Sequence, residues 1–228
     1  HDIIVTVGAI LAEATTAVAK ANPGVRFIGI DQMQSQVLPN VAGLVFDEDR
    51  AGFLAGALAG LYSKAGKVGA VMATDVVPIV WRFGEGFRAG ARHVRPNIDV
   101  QLVYHSDVGP ERSFDDPEWG KATALSMIDR GADVVFGEGG RTGNGALYAA
   151  AARQEKGVVA IGGDSDQYAT VVEARSVLLS SATKSIDTGV ADLIKAVVNK
   201  SFAGGNVTGK VGLAPFHDLQ AKVDASII

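Results

Sequence analysis

A chain of 228 residues, 47% of them hydrophobic, is long enough to bury one large core or two smaller ones, and its formal net charge of -4 comes without any block of lysines or arginines. Nucleic acid is therefore not an expected partner, because a phosphate backbone is gripped by clustered positive charge. Cysteine is absent, which removes disulfides, thiolate catalysis and cysteine-ligated zinc, and no apolar run approaches the roughly 20 residues that span a bilayer.

The amino end, HDIIVTVGAI, lacks the basic start and small-residue cleavage site of a signal peptide and reads as a strand. A chain that opens inside an apolar strand looks cut from something longer, so a missing amino-terminal part is expected. A helix over 10–21 follows, then the strand VRFIGID, and then VAGLVFDE, reached through MQSQVLPN with no helix, which predicts a longer loop or an edge arrangement. From there helices over 50–63, 82–94, 117–130 and 145–155 alternate with the runs KVGAVMATD, VQLVYHSD, ADVVFGEGG and VVAIGGDSD. Gly66, Gly131 and Gly157 stand where helices end before the next strand. The pattern then changes to a strand SVLLSSA, a helix over 185–199 and a late strand KVGLAPF. Alternation of this kind predicts an α/β fold with parallel sheets flanked by helices. KAGK, at 64–67, is a place where the chain would cross from one lobe to another.

Six of the seven strand-like runs finish with an acidic residue: Asp31, Asp47, Asp75, Asp107, Glu138 and Asp164. In an open parallel sheet the carboxyl ends of the strands share one edge, and ligands bind outside it. Aspartate there also caps helices and turns, which is how Asp47 and Asp49, and Asp115 and Asp116 before Pro117, are read. Asp31, Glu138 and Asp164 differ because loop residues follow them. In DSD, a metal would want further ligands, and the four histidines show no helical i, i+4 pair. A glycosidase pair needs carboxylates on opposite sides of a bond, which residues two apart in a turn rarely supply. Recognition of a vicinal diol asks for one ionised carboxylate, so Asp164 is assigned to hydroxyls and Asp166 to structure. No cofactor is expected.

The stretch GEGGRTGNG, from Gly137 to Gly145, is read as a loop between a strand and a helix. It matches neither nucleotide-phosphate motif, which leaves either a tight turn or a loop whose Glu138, Gly139 and Gly140 let a ligand approach backbone N–H groups. In SFDDPEWGK, Phe114 and Trp119 are read as exposed aromatics available to stack on a planar ligand.

Four ordered stretches carry a likeness to a known family: the long segment PNVAGLVFDEDRAGFLAGALAGLYSKAGKVGAVMATDVVPIVWRFGEGFRAG, then SFDDPEWGKATALSMIDRGADVVFGEGGRTGNGALYAAA, VVAIGGDSDQ and SSATKSIDTGV. Together they resemble the basic membrane protein family of substrate-binding lipoproteins, which contains the purine nucleoside receptor A proteins. The resemblance implies a type I periplasmic-binding-protein-like fold of two lobes that close by a hinge on a purine nucleoside or related small polar ligand. Delivery to an ABC transporter permease would follow, outside the cytoplasm, with a lipid anchor absent from this chain as the only membrane attachment. Carried over by position, Asp31 resembles a base-recognising group and Phe114 a stacking aromatic. Gly140 and its neighbours resemble the loop near the ribose, Asp164 its hydroxyl acceptor, and Lys184 the cation that completes the clamp beside Asp164. The implied lobes are residues 1–64 with 176–212, lacking the first β-α units, and 65–175, followed by a separate segment over 213–228. Family members begin with further strands and helices that this sequence does not contain, including a second stacking phenylalanine. Two other functions compete: a nucleoside or glycoside hydrolase using Asp164 and Glu138, and a ligand-sensing regulatory module, for which no basic helix-turn-helix segment is present.

Overall fold

Short apolar runs become strands and the periodic segments between them become helices in a computed structural model that describes residues 2–225 and 227. The chain divides into two compact units, the first running to Asp47 and again over Lys184–Lys210, the second taking Glu48–Thr183 and the chain from Val211 onward. Unit 1 opens with β1 (Ile3–Val7), α1 (Ala12–Ala21), β2 (Arg26–Ile30) and β3 (Val41–Val45). Unit 2 continues with α2 (Glu48–Tyr62), β4 (Lys67–Met72), α3 (Pro78–Val94), β5 (Asp99–Tyr104), the short α4 (Pro110–Phe114) and α5 (Pro117–Asp129). It goes on through β6 (Val134–Glu138), α6 (Gly140–Ala151), β7 (Val159–Asp164) and β8 (Leu178–Lys184), whose last residue already belongs to unit 1. The chain then adds α7 (Ile186–Val198) and β9 (Gly205–Thr208) to unit 1 and β10 (Val211–Leu213) to unit 2.

In unit 1 the sheet runs in the order β1-β2-β3-β9, with every pair parallel. The stretch between β2 and β3 has no helix, as its composition predicts, and side-chain amides take the place of one. Gln34 Nε2 donates to the carbonyls of Val41 and Gly205, while Asn40 Nδ2 donates to those of Ala19, Asn22 and Val25. Strand β9 was not legible, because GNVT has a single apolar residue. Asn206 holds it in place by exchanging two hydrogen bonds with the backbone of Gln34.

Unit 2 has a six-stranded sheet, in the order β10-β8-β7-β6-β4-β5, covered on both faces. Val68, Ala70 and Met72 of β4 point into the cluster with Phe83 and Phe87 of α3, whereas Val71 joins Met127, Ala146 and Leu147 on the other face. That alternation is the two-residue period of a strand buried on both sides.

The boundaries differ from those read in the sequence. Helix α2 belongs to unit 2, and the chain crosses after Asp47 rather than at KAGK. The reason lies in three glycines along α2: a Cβ on Gly52 or Gly56 would overlap the carbonyl of Phe83 or Phe87, and one on Gly60 would overlap Val94. Backbone therefore meets backbone between α2 and α3. The turn after α2 is fixed by Asp133, whose Oδ2 accepts from the N–H groups of Lys64 and Ala65, each at 2.8 Å. Nor is the carboxy-terminal stretch separate: β10 joins the sheet edge, and Leu219 and Val223 enter the core of unit 2.

Candidate functional site

Strands β6 and β7 lie side by side and parallel, so their carboxyl ends open on the same edge of the unit 2 sheet. A cavity of about 270 Å³ sits there, lined by Glu138, Gly139, Gly140, Gly163 and Asp164 together with Arg141, Asn144 and Gln167. Of the seven residues singled out from sequence, the fold brings Glu138, Gly139, Gly140 and Asp164 to this cavity. Phe114 ends α4, half-buried, with its backbone carbonyl so near Gly140 that a Cβ there would lie 2.7 Å from it. Asp31 and Lys184 lie in unit 1.

The glycine stretch is not a loop. β6 runs through Glu138, Gly139 takes the left-handed conformation at φ 97°, and α6 starts at Gly140 rather than five residues later. The glycines are there for close packing. A Cβ on Gly137 would overlap the carbonyl of Gly143, and one on Gly145 would overlap that of Pro117. Glu138 is 3% exposed, and its carboxylate lies against Gly163, where any side chain would collide with Oε2. A glycine-floored cavity beside a helix N-terminus leaves backbone accessible to a ligand.

Asp164 is the last residue of β7 and has φ 62°, a conformation that L-residues other than Asn, Asp and His seldom adopt. Ser165 N–H donates to the Gly163 carbonyl at 2.7 Å and closes the turn. Behind it, Gln167 braces three elements: its Oε1 accepts from Gly163 N–H at 3.1 Å, its Nε2 donates to Asn144 of α6 at 2.7 Å, and its own N–H donates to Ser181 of β8 at 3.1 Å. Asn144 and Gln167 were missed from sequence, although both stand inside the stretches that drew attention. Asp166 turns to structural work, accepting from Tyr168 N–H and facing His217 Nε2 at 2.8 Å.

The segment carrying Phe114 is fixed by a buried histidine. His105, 2% exposed, presents Nδ1 to Asp107 at 2.8 Å and Nε2 to Asp116 at 3.3 Å, and its ring stacks on Trp119 with centroids 3.9 Å apart. Trp119 is thus half-buried and occupied by His105, which corrects its reading as an exposed stacking face. The Trp119 backbone N–H donating to Asp116, helped by His105 and Arg112, holds that carboxyl below the usual range. Asp116 N–H in turn donates to Thr142 of α6 at 2.8 Å, and Arg141 pairs with Asp115 at 2.8 Å, so this segment is tied directly to the cavity wall.

In unit 1, Lys184 finds its carboxylate in Asp31, with Nζ 3.2 and 3.1 Å from the two oxygens. The ammonium also lies 5.6 Å from the centroid of Phe46. Asp31 shares the conformation of Asp164, with φ 61° at the end of its strand. Among the described residues no group of three or more histidine, aspartate or glutamate side chains is arranged to hold a metal, and no helix is long and apolar enough to cross a membrane.

Comparisons with known proteins agree with one another. The Bmp family model, described as ABC transporter substrate-binding protein PnrA-like, matches residues 1–213. The chain is 32% identical over 215 residues to a CD4+ T-cell-stimulating antigen of Listeria monocytogenes, a match covering 90% of this chain and 58% of that protein. It is 30% identical to the ABC transporter nucleoside-binding protein BmpA of Lactococcus lactis, over 91% of this chain and 60% of the relative. This chain thus spans about three fifths of either relative's length. A solute-binding protein of an ABC transporter system from Aeropyrum pernix superposes with a TM-score of 0.80 at 29% identity, covering 94% of this chain and 60% of that one. The fold is that of type I periplasmic solute-binding proteins.

Proposed function

Because the chain belongs to the Bmp family of PnrA-like ABC transporter substrate-binding proteins, we propose that it serves as an extracytoplasmic receptor that hands a purine nucleoside to an ABC permease. The observation that carries this reading is the composition of the unit 2 cavity. Its floor is glycine, and its walls are two carboxylates, Glu138 and Asp164, two amides, Asn144 and Gln167, the guanidinium of Arg141 and Ser165. Not one aliphatic side chain lines it. At about 270 Å³ it falls below the roughly 300–1,000 Å³ of a pocket that swallows a whole drug-sized ligand, and it suits one polar part of a molecule. A pentose is such a part, since its vicinal hydroxyls donate to carboxylates and amide oxygens while its ring lies against glycine backbone. The printed name of the Lactococcus relative, a nucleoside-binding protein, supports the same ligand class.

Asp164 takes the sugar hydroxyls, Glu138 backs it from the cavity wall, and Phe114 offers a ring to the base. Asp31, held by Lys184, reads a polar edge of the ligand. The receptor binds without reacting. Incubating the protein with inosine and analysing the products tests this: bound, intact inosine is expected, and release of free hypoxanthine would replace the receptor by a hydrolase using Asp164 and Glu138.

A further inference from the structure

The second aspartate of GGDSDQ has a partner that no reading of the cavity uses. Asp166 lies two residues from Asp164, and its Oδ2 is 2.8 Å from Nε2 of His217, in a turn 51 positions later in the chain. The imidazole stacks on Tyr168, with ring centroids 4.1 Å apart and planes 15° from parallel. Tyr168 is also held from both sides: its hydroxyl donates to Asp218 at 2.9 Å, its carbonyl accepts from Arg175 Nε, and the Arg175 guanidinium lies 4.9 Å from its ring centroid. His217 sits at φ 43°, a left-handed backbone that carries strain and persists where the surroundings hold it. The turn itself is anchored independently, because Leu219 and Val223 are buried in the unit 2 core.

We propose that His217 is a positioning residue: through Asp166 and Tyr168 it pins the turn that aims Asp164 into the cavity, without touching the ligand itself. The inference rests on the ligand-binding role proposed for Asp164. A hydrogen bond from the ring to the Asp166 carboxylate fixes one end of the turn, and the Gln167 brace to Gly163, Asn144 and Ser181 fixes the other. Freed from His217, residues 164–168 would sample orientations in which the carboxylate of Asp164 no longer meets the sugar.

The test compares wild type with H217L and H217Q, measuring amide hydrogen exchange without ligand and calorimetric affinity for guanosine and inosine. H217L removes the hydrogen bond and is expected to speed exchange at residues 163–168 by about tenfold and to raise the nucleoside Kd by a similar factor. Exchange in β4 and β6 should not change. H217Q keeps an amide donor and is expected to return both quantities to within about threefold of wild type. Wild-type behaviour in H217L, a glutamine variant no better than leucine, or exchange accelerated throughout unit 2 would each overturn the proposal. Should wild type bind neither nucleoside, the receptor reading fails by itself, and the exchange rates still decide the role of His217.

Discussion

Two aspartates at strand ends, Asp31 and Asp164, adopt the same left-handed backbone; Lys184 pairs with the first, and Gln167 braces the Gly163 N–H beside the second. Asp164 lines the unit 2 cavity, and Asp31 pairs with Lys184, which is 4% exposed. The chemistry of the two positions therefore predicts different phenotypes. D164A is expected to weaken nucleoside binding by about 1–3 kcal/mol, the loss of a hydrogen bond to a charged group, and to lower the thermal midpoint modestly, because alanine tolerates φ 62° less well than aspartate. Unaltered affinity would reject Asp164 as the sugar contact. K184M removes the ammonium that pairs with the Asp31 carboxylate, and breaking a buried ion pair from one side costs about 3–5 kcal/mol. A thermal midpoint at the wild-type value would contradict that. The sequence marked Asp31 and Asp164 by their place after apolar runs, but it could not mark the partners of Asp31 and of Asp166 beside Asp164. Lys184 lies 153 positions from Asp31, and His217 lies 51 from Asp166, so the pairings exist only once the sheets have formed.

Element by element, strands buried on both faces were the easiest to read, because near-continuous apolar runs leave no other solution. The weakest readings fell where backbone and side-chain hydrogen bonds, not hydrophobic period, set the boundary. β9 is one case, and the early start of α6 at Gly140 is another, since glycines read as loop residues instead permit helices and strands to touch. α2 and α3 carry the same lesson. Gly56 is small because α3 lies directly against it, so G56A forces the two helices apart or bends them. Overpacking of that kind costs about 1–3 kcal/mol. A lowered thermal midpoint in calorimetry is the expected outcome, and an unchanged one would mean that the helices are not in backbone contact.

For the molecule as a whole, the α/β class and the parallel sheets followed from alternation, while the division into units did not, because no change of composition marks Asp47 or Thr183. Stability should also carry a signature of how β5 is packed. Burial, with Glu85 adding to it, pushes the Tyr104 phenol from 10.0 up to about 12. The folded state thus favours the neutral phenol; that stabilisation is complete below pH 10 and is lost as pH rises toward 12. Thermal midpoints measured across that span should fall for wild type and fall less for Y104F; parallel curves would contradict the assignment. The receptor reading itself turns on whether hydroxyls are what the unit 2 cavity holds. Calorimetric titration with guanosine and with its 2′,3′-dideoxy analogue tests this most directly. Guanosine is expected to bind and the analogue to bind at least about tenfold more weakly, because the carboxylate and amide groups of the cavity would lose their donors. Equal affinity for the two, or no binding of guanosine, would contradict the account.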